Sequence, residues 1–304
     1  MQISTGSAQG RPGLSARCGG SMRTGPRIPR KLWFLWHQGL ADAPLVVRTC
    51  AESWVRENRG WDIVFLDKSN LGSYLQPELP DEKLARLPPA KQSNLIRLQL
   101  LSVYGGVWAD ATTLCMKPLD EWLDACTASG FFAFQRPAKD RLLANWFLAA
   151  EPCCPIVVAL KKRYVDFFMR RDFPEPGALR RLLLCALSAV FNRSDRTTKY
   201  WFSPLITDLA GVYPYFIFHY MFERIMAQDA ECRRIWDATA KISADGPHRI
   251  QAAGFLAPAS ASMKQEIDAR IMPVYKLSWR YNSAGYTPAT LLYYLLEGRA
   301  PGCP

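Results

Sequence analysis

The sequence lacks long apolar runs and several motifs by which common enzyme classes are recognised. It has no uninterrupted stretch of about eighteen apolar residues, so no membrane-spanning helix is expected and we predict a soluble protein. Glycine-rich phosphate loops of the Gly-x-Gly-x-x-Gly or Gly-Lys-Ser/Thr type are absent, which disfavours kinases and dinucleotide-binding enzymes. The Gly-x-Ser-x-Gly elbow of many serine hydrolases is absent as well.

Metal-ligating side chains are scarce and scattered. The nine cysteines include no Cys-x-x-Cys pair, the chain has only three histidines, and no Cys/His cluster occurs. This pattern argues against a structural zinc site. An odd number of scattered cysteines fits reduced, mostly buried thiols, and we therefore expect a cytoplasmic protein.

Acidic residues are missing from the first 31 positions, which hold six of the basic residues behind the net charge of +11. Residues 1–27 are rich in Gly, Ser and Arg and are predicted to form a disordered basic tail, followed by a single domain over 28–304. An organelle-targeting role for the tail is the alternative, although it lacks an apolar face. Net charge alone is a weak argument for a nucleic-acid partner, and none is predicted.

Strand-like and helical patterns alternate after the tail. The segments KLWFLW (31–36) and WDIVFLD (61–67) are predicted strands, and the segment PLVVRTCAESWVREN (44–58) between them has helical spacing. This order is typical of a parallel α/β layer. The clearest helix lies within LPPAKQSNLIRLQLLSVYGG (87–106), because two prolines precede it and Gly105 stands at its end. From residue 151 onward helical patterns dominate.

The segment YGGVWADATTLC (104–115) places a single carboxylate, Asp110, in an uncharged strand-like stretch. Its two glycines allow a tight reversal, which would return Asp110 to the side of the preceding helix. Arg97 lies within the apolar surface of that helix, and a buried guanidinium needs an acid or a phosphate. Asn94, three residues earlier, shares its helix face.

Two interpretations of Asp110 follow. In the first, Asp110 only neutralises Arg97 inside the core. In the second, Arg97, Asn94, Asp110 and Thr112 line a pocket at the carboxyl end of a strand, where α/β sheets bind nucleotides. Strand geometry places Asp110 and Thr112 on one face, with Ala109 on the other.

Several segments together resemble one protein family. They are IPRKLWFLWHQG, WDIVFLD, SNLIRLQLLSVYGGVWADATTLCMKPLDEWL, NWFLAAEPCCPIVVAL, FIFHYMFERI and PVYKLSWR. Over about residues 28–280 the chain resembles the capsular polysaccharide synthesis proteins, which are related to the DXD-type sugar transferases that include yeast mannosyltransferases and the large clostridial glucosylating toxins.

The resemblance implies a nucleotide-sugar transferase (GT-A-like) α/β fold with a Rossmann-like mixed sheet and a helix-rich C-terminal half. Residues 28–150 would bind the nucleotide sugar, and 151–304 would complete the acceptor side. The implied activity is that of a hexosyltransferase, which moves a sugar from a nucleotide-diphosphate donor to a glycan or polysaccharide acceptor in capsule or exopolysaccharide synthesis. The alternative is a non-catalytic nucleotide-sugar or glycan-binding protein of the same fold.

The resemblance also implies residue roles. Arg97 would hold the donor sugar or diphosphate, because the planar fork of hydrogen-bond donors in its guanidinium suits that role. Asp110 would be the first acid of the DXD motif, contacting ribose and sugar hydroxyls or a metal. Trp36, His37 and Gln38, which follow the first strand, would lie near the base.

Two residues depart from the family pattern. Asn94 replaces an acid on the helix, and Thr112 replaces the second acid of the DXD motif. Mn²⁺ or Mg²⁺ at Asp110 is the metal that the resemblance implies, but one carboxylate is a poor anchor for a divalent ion.

Three further features have simpler interpretations. His219, within an aromatic stretch, is predicted to be a core residue rather than a base. His248 is predicted to lie in a loop. The segment KKRYVDFFMRRDF (161–173) carries five basic residues. A solvated helix face is the favoured reading of that segment, and peripheral contact with an anionic membrane is the alternative.

Overall fold

The computed structural model describes residues 28–173 and 177–298, so both predictions for the tail over 1–27 lie outside the described residues. The strands are β1 (Lys31–Leu35), β2 (Asp62–Leu66), β3 (Gly106–Asp110), β4 (Thr113–Cys115), β5 (Phe131–Ala138), β6 (Arg141–Ala150) and β7 (Val274–Lys276). The α-helices are α1 (Leu45–Glu57), α2 (Asp81–Arg86), α3 (Pro89–Tyr104), α4 (Leu123–Cys126), α5 (Pro155–Arg170), α6 (Ala178–Phe191), α7 (Ile217–Gln228), α8 (Ala230–Ala238), α9 (Arg249–Ala253), α10 (Ala261–Asp268) and α11 (Leu291–Leu296). Short 3₁₀ segments are Leu71–Ser73, Leu119–Glu121, Thr198–Phe202 and Ser283–Gly285, and Leu205–Leu209 forms one π-helical turn.

The main sheet has five strands in the order β2-β1-β3-β6-β5. Strand β1 runs parallel to both β2 and β3, whereas β6 runs antiparallel to β3 and to β5. After β6, helices dominate, and β7 is the one strand assigned in the described part of that half. The predicted α/β class, with a mixed sheet and a helix-rich C-terminal half, is confirmed.

Both faces of this sheet are covered, because alternate side chains of each central strand enter different cores. Leu32 and Phe34 of β1 belong to the cluster that packs against α1. Trp33 and Leu35 belong to the cluster that packs against α3, α5 and α7. A near-continuous apolar run such as KLWFL is the pattern expected of a strand buried on both sides.

The predicted single strand VWADATTLC is two strands in two sheets. β3 ends at Asp110, and after a two-residue turn β4 pairs antiparallel with β7. Helix α1 holds β4 in place: Trp54 Nε1 donates to the carbonyl of Thr113 at 2.9 Å, and the Cys115 N–H donates to Ser53 Oγ at 2.9 Å. These partners come from about sixty residues earlier, which explains why the local pattern alone suggested one strand.

The two glycines before β3 make the reversal that the sequence predicts. Gly105 ends α3 with a φ of +64°, and its carbonyl accepts from Trp33 Nε1 at 2.9 Å. Gly106 has a φ of +91°, and a Cβ at this position would clash with the carbonyl oxygen of Lys31. The close approach of β3 to β1 therefore requires glycine at 106.

Two further expectations concern thiols and membranes. Cys50, Cys115, Cys126, Cys154 and Cys232 are buried, in agreement with the prediction of mostly buried thiols. Across 28–173 and 177–298, no helix combines the length and apolar character needed to cross a bilayer.

We predict that Gly106→Ala lowers the free energy of unfolding by about 2–4 kcal/mol, because the new methyl group meets backbone at a positive φ. Gly72→Ala is the matched control, since no atom lies within 4 Å of its Cβ position. Urea unfolding of both variants measures the effect. Equal midpoints for the two variants would contradict this role for Gly106.

Candidate functional site

The candidate site lies where the parallel strands β1 and β3 end side by side. Leu35, the last residue of β1, is in register with Asp110, the last residue of β3. The carboxyl edge of parallel strands is where open α/β sheets bind ligands. Asp110 lies on the same face of β3 as Trp108, the face covered by α3. Ala109 and Ala111 both belong to the opposite core, so the predicted division of faces is confirmed.

The structure brings Asp110 and Arg97 together, as predicted. Arg97 Nη2 lies 3.1 Å from Asp110 Oδ1, and the same oxygen accepts from Trp108 Nε1 at 2.9 Å. The guanidinium also lies 4.9 Å from the centre of the Trp108 ring. The Arg97 side chain is 4% exposed and that of Asp110 is 28% exposed. Buried neighbours therefore hold the Arg97 guanidinium in place, while part of the Asp110 side chain is exposed to solvent.

Lys276 is a second cation on the same carboxylate. Its Nζ lies 3.2 Å from Asp110 Oδ2 and donates to Thr112 Oγ1 at 2.8 Å. The β4–β7 pairing sets this position, because Lys276 is opposite Thr113 in the register. Sequence reasoning missed Lys276, although a lone lysine in the apolar run VYKLSW is the same kind of signal as the lone Asp110.

The cluster carries more positive than negative charge. Burial alone would raise the pKa of the Asp110 carboxyl, but the Lys276 ammonium and the Arg97 guanidinium hold that pKa below its usual value. Burial lowers the pKa of Arg97, and Asp110 opposes that shift, so the guanidinium keeps its proton. Two cations therefore share one ionised acid, and the excess charge suits an anionic ligand.

Asn94 lies behind Arg97. Its Oδ1 accepts from Asn145 Nδ2 at 3.0 Å, and its Nδ2 lies 3.4 Å from the Tyr164 hydroxyl. The carbonyl of Asn145 in turn accepts from Arg97 Nη1. Asn94 is buried, and its contacts place it in the network that orients Arg97.

Two further basic side chains lie near the Arg97 side of the site. Lys91 is buried on α3, its ammonium donates to the carbonyl of Tyr215, and burial lowers its pKa to about 7. Arg141, at the start of β6, lies 3.8 Å from the centre of the Phe216 ring.

His219 is fully buried in α7. Burial first, and then the charges of Arg141, Lys91 and Arg97, hold its pKa well below the usual value, so its imidazole is neutral. The prediction of a core histidine is confirmed.

The residues after β1 occupy the same edge of the sheet. The Trp36 ring packs edge-on against Trp279, with centroids 5.8 Å apart, and Gln38 is exposed. Burial and the nearby Lys68 lower the pKa of His37, so it is neutral at pH 7. Within the described structure, His37 Nε2 is buried without a hydrogen-bond partner. A polar group of a ligand would satisfy it.

His248 lies at the N-terminal end of α9, in the connection before that helix. Its ring is 5.5 Å from that of Trp146. Burial, Lys276 and Arg141 lower its pKa. The predicted loop position is confirmed, and the histidine is close enough to Lys276 to feel its charge.

The side chains of the site do not fit a resident divalent ion. Nowhere in the described ranges do three His, Cys, Asp or Glu side chains converge as metal ligands. At Asp110 one oxygen faces Arg97 and Trp108 and the other faces the Lys276 ammonium. Mn²⁺ or Mg²⁺ needs several hard oxygen ligands. The assignment of a metal to Asp110 stays a prediction.

Comparison with known proteins gives partial matches to glycosyltransferases. The chain is 27% identical over 161 residues to the O-glycosyltransferase braB of Annulohypoxylon truncatum, covering 46% of this chain and 37% of that protein. It is 33% identical over 103 residues to the glycosyltransferase afumC of Aspergillus fumigatus, covering 30% of this chain and 26% of that protein. It is 23% identical over 151 residues to the uncharacterized glycosyltransferase L373 of Acanthamoeba polyphaga mimivirus, covering 48% and 57%. The chain thus spans about a quarter to three fifths of the length of these relatives.

Among solved structures, the PaToxG glycosyltransferase is similar at a TM-score of 0.35 and 12% identity, over 70% of this chain and 88% of that one. That likeness is too low to bear on the fold. The family model of the capsular polysaccharide synthesis proteins matches residues 22–175, slightly more than half of the chain, and includes α3, β3 and both Arg97 and Asp110. The chain therefore belongs to the capsular polysaccharide synthesis protein family.

Proposed function

We propose that this protein is a glycosyltransferase of GT-A-like architecture that moves a sugar from a nucleotide-diphosphate sugar to a glycan or polysaccharide acceptor. The observation that carries the proposal is the cluster of two cations on one carboxylate, Arg97 and Lys276 on Asp110, at the joint carboxyl edge of β1 and β3. Family membership and the glycosyltransferase names of partial relatives support it. Capsule or exopolysaccharide synthesis is the setting that the family description favours.

The proposed reaction needs a place for a leaving diphosphate. The bond between the anomeric carbon and the β-phosphate oxygen breaks, the acceptor hydroxyl oxygen bonds to that carbon, and the hydroxyl proton passes to the leaving diphosphate or to water. Negative charge then grows on the diphosphate. Cations that are already fixed stabilise this charge without reorganising, which is the main source of rate enhancement in such sites. Arg97, held by Asn145, Ser93 and Trp108, is fixed in this way.

Asp110 would act chiefly by positioning. Its carboxylate holds Arg97 on one oxygen and Lys276 on the other, 3.1 and 3.2 Å away. A carboxylate has about four acceptor sites, so Oδ2 keeps capacity for a hydroxyl of the donor sugar or ribose. The nucleotide would extend toward Trp36, His37 and Gln38 at the end of β1, where the unpaired His37 Nε2 offers a polar contact.

A binding-only protein of the same fold is the second candidate. The observation that favours it is the lack of a second acid beside Asp110, since Thr112 there is bonded to Lys276. Calorimetric titration with a panel of nucleotide sugars, followed by an assay for released nucleoside diphosphate, distinguishes the two. Binding without release, with or without added metal, would establish the second candidate.

We predict that Asp110→Asn and Arg97→Lys each lower sugar transfer, or donor hydrolysis, by about a hundredfold or more. The first removes the charge that holds both cations, and the second keeps the charge but loses the planar fork. Asp237→Asn and Arg233→Lys are matched controls, because these residues form an exposed ion pair on α8. Circular dichroism and thermal melting test whether each variant is folded. Wild-type activity in a folded Asp110→Asn variant would refute the proposed site.

We also predict that Lys276→Gln lowers transfer about a hundredfold, and that wild-type transfer persists in excess EDTA. In this proposal Lys276 supplies the positive charge on the Oδ2 side of Asp110. Lys241→Gln is the control, because the Lys241 ammonium donates to the carbonyl of Trp236 and lies outside the site. Loss of wild-type activity in EDTA, together with an active Lys276→Gln variant, would show that a metal and not this lysine carries the charge.

A further inference from the structure

We propose that α6, the π-helical turn Leu205–Leu209 and the arginine groove between α5 and α7 together form a docking surface for an anionic lipid bilayer. The proposal is independent of the proposed catalytic function. It rests on two observations on adjacent elements, a helix with an exposed apolar stripe and a concentration of arginines.

Helix α6 exposes part of its apolar surface to solvent. None of its fourteen residues is buried. Leu179 is 80% exposed, Leu182 is 68% exposed and Val190 is 49% exposed. These three positions follow a helical spacing of three and eight residues, so they share one face. A surface helix of a globular protein normally directs such a stripe into the core.

The π-helical turn adds two more exposed leucines. Leu205 is 68% exposed and Leu209 is 79% exposed. Asp208, which lies within the same turn, pairs with Arg171, next to the end of α5, at 2.5 Å. The guanidinium of Arg180 on α6 lies close to Gly211, just beyond the turn. These contacts place α6, the turn and the end of α5 side by side.

The groove beside the turn is rich in arginine. It is lined by Arg163, Arg170, Arg171 and Arg224 with one acid, Asp166. Burial, and then the like charge of Arg224, lower the pKa of Arg163. From residue 177 to 210 the chain has five basic residues and two acidic residues. Membrane contact through 161–173 was the alternative interpretation of the sequence. Arg163 and Arg170 of that segment line this groove, which supports that alternative.

Charge decides between possible occupants of this surface. A second copy of the chain would bring a second set of arginines against the first. The N-terminal segment 1–27 carries four arginines and no acid, so it would also be repelled. An anionic bilayer fits both the exposed leucines and the arginine groove. Leucines would enter the boundary between headgroups and acyl chains, and arginines would contact lipid phosphates.

The test is sedimentation of the full chain with phosphatidylcholine vesicles prepared with and without phosphatidylserine. We expect binding to the anionic vesicles, lowered about tenfold or more by Leu179→Ser/Leu182→Ser. Arg163→Gln/Arg170→Gln should lower binding to the anionic vesicles by a similar factor and leave any binding to pure phosphatidylcholine vesicles unchanged. The control is Val55→Ser/Ile271→Ser, which removes two half-exposed apolar side chains elsewhere.

Three outcomes would overturn the proposal. The first is no binding of the wild-type chain to anionic vesicles. The second is binding that the leucine variant retains in full, which would assign it to another part of the chain such as the basic segment 1–27. The third is concentration-dependent self-association that the leucine variant abolishes, since the surface would then be an interface between copies. Thermal melting of each variant checks folding, and exposed leucines should tolerate serine.

Discussion

The cost of burying a guanidinium governs the architecture of this site. Arg97 is almost fully enclosed, and without Asp110 its charge would be unpaired at a cost of about 3–5 kcal/mol. The pair forms only because Gly105 and Gly106 bring β3 back along α3 and against β1. The same reversal sets Asp110 at the carboxyl edge of the sheet, so one constraint serves both folding and the proposed chemistry.

Sequence predicts the parts of this arrangement that are local. The helix α3, the reversal at the glycines and the approach of Asp110 to Arg97 all lie within residues 89–110 and follow from spacing and charge. Lys276 was missed because it reaches Asp110 across 166 residues through the β4–β7 pair. The break between β3 and β4 was missed for a similar reason, since Trp54 and Ser53 of α1 hold β4. Long-range hydrogen bonds leave little trace in local periodicity.

The two early interpretations of Asp110 are compatible. The carboxylate neutralises Arg97, as the structural interpretation holds, and it also presents an exposed side next to Lys276. A second cation on one acid exceeds what neutralisation requires. That surplus, set among Lys91, Arg141 and a neutral His219, favours an anionic ligand over a purely structural pair.

If this surplus charge receives a diphosphate, the affinity for nucleotides must depend on the number of phosphates. Calorimetric titration of the wild-type chain should compare UDP and GDP with UMP, GMP and the free nucleosides, at low and at high salt. We expect one diphosphate to bind at least about tenfold more tightly than its monophosphate, and we expect salt to reduce the difference. Equal affinity for a nucleoside and its diphosphate would contradict it.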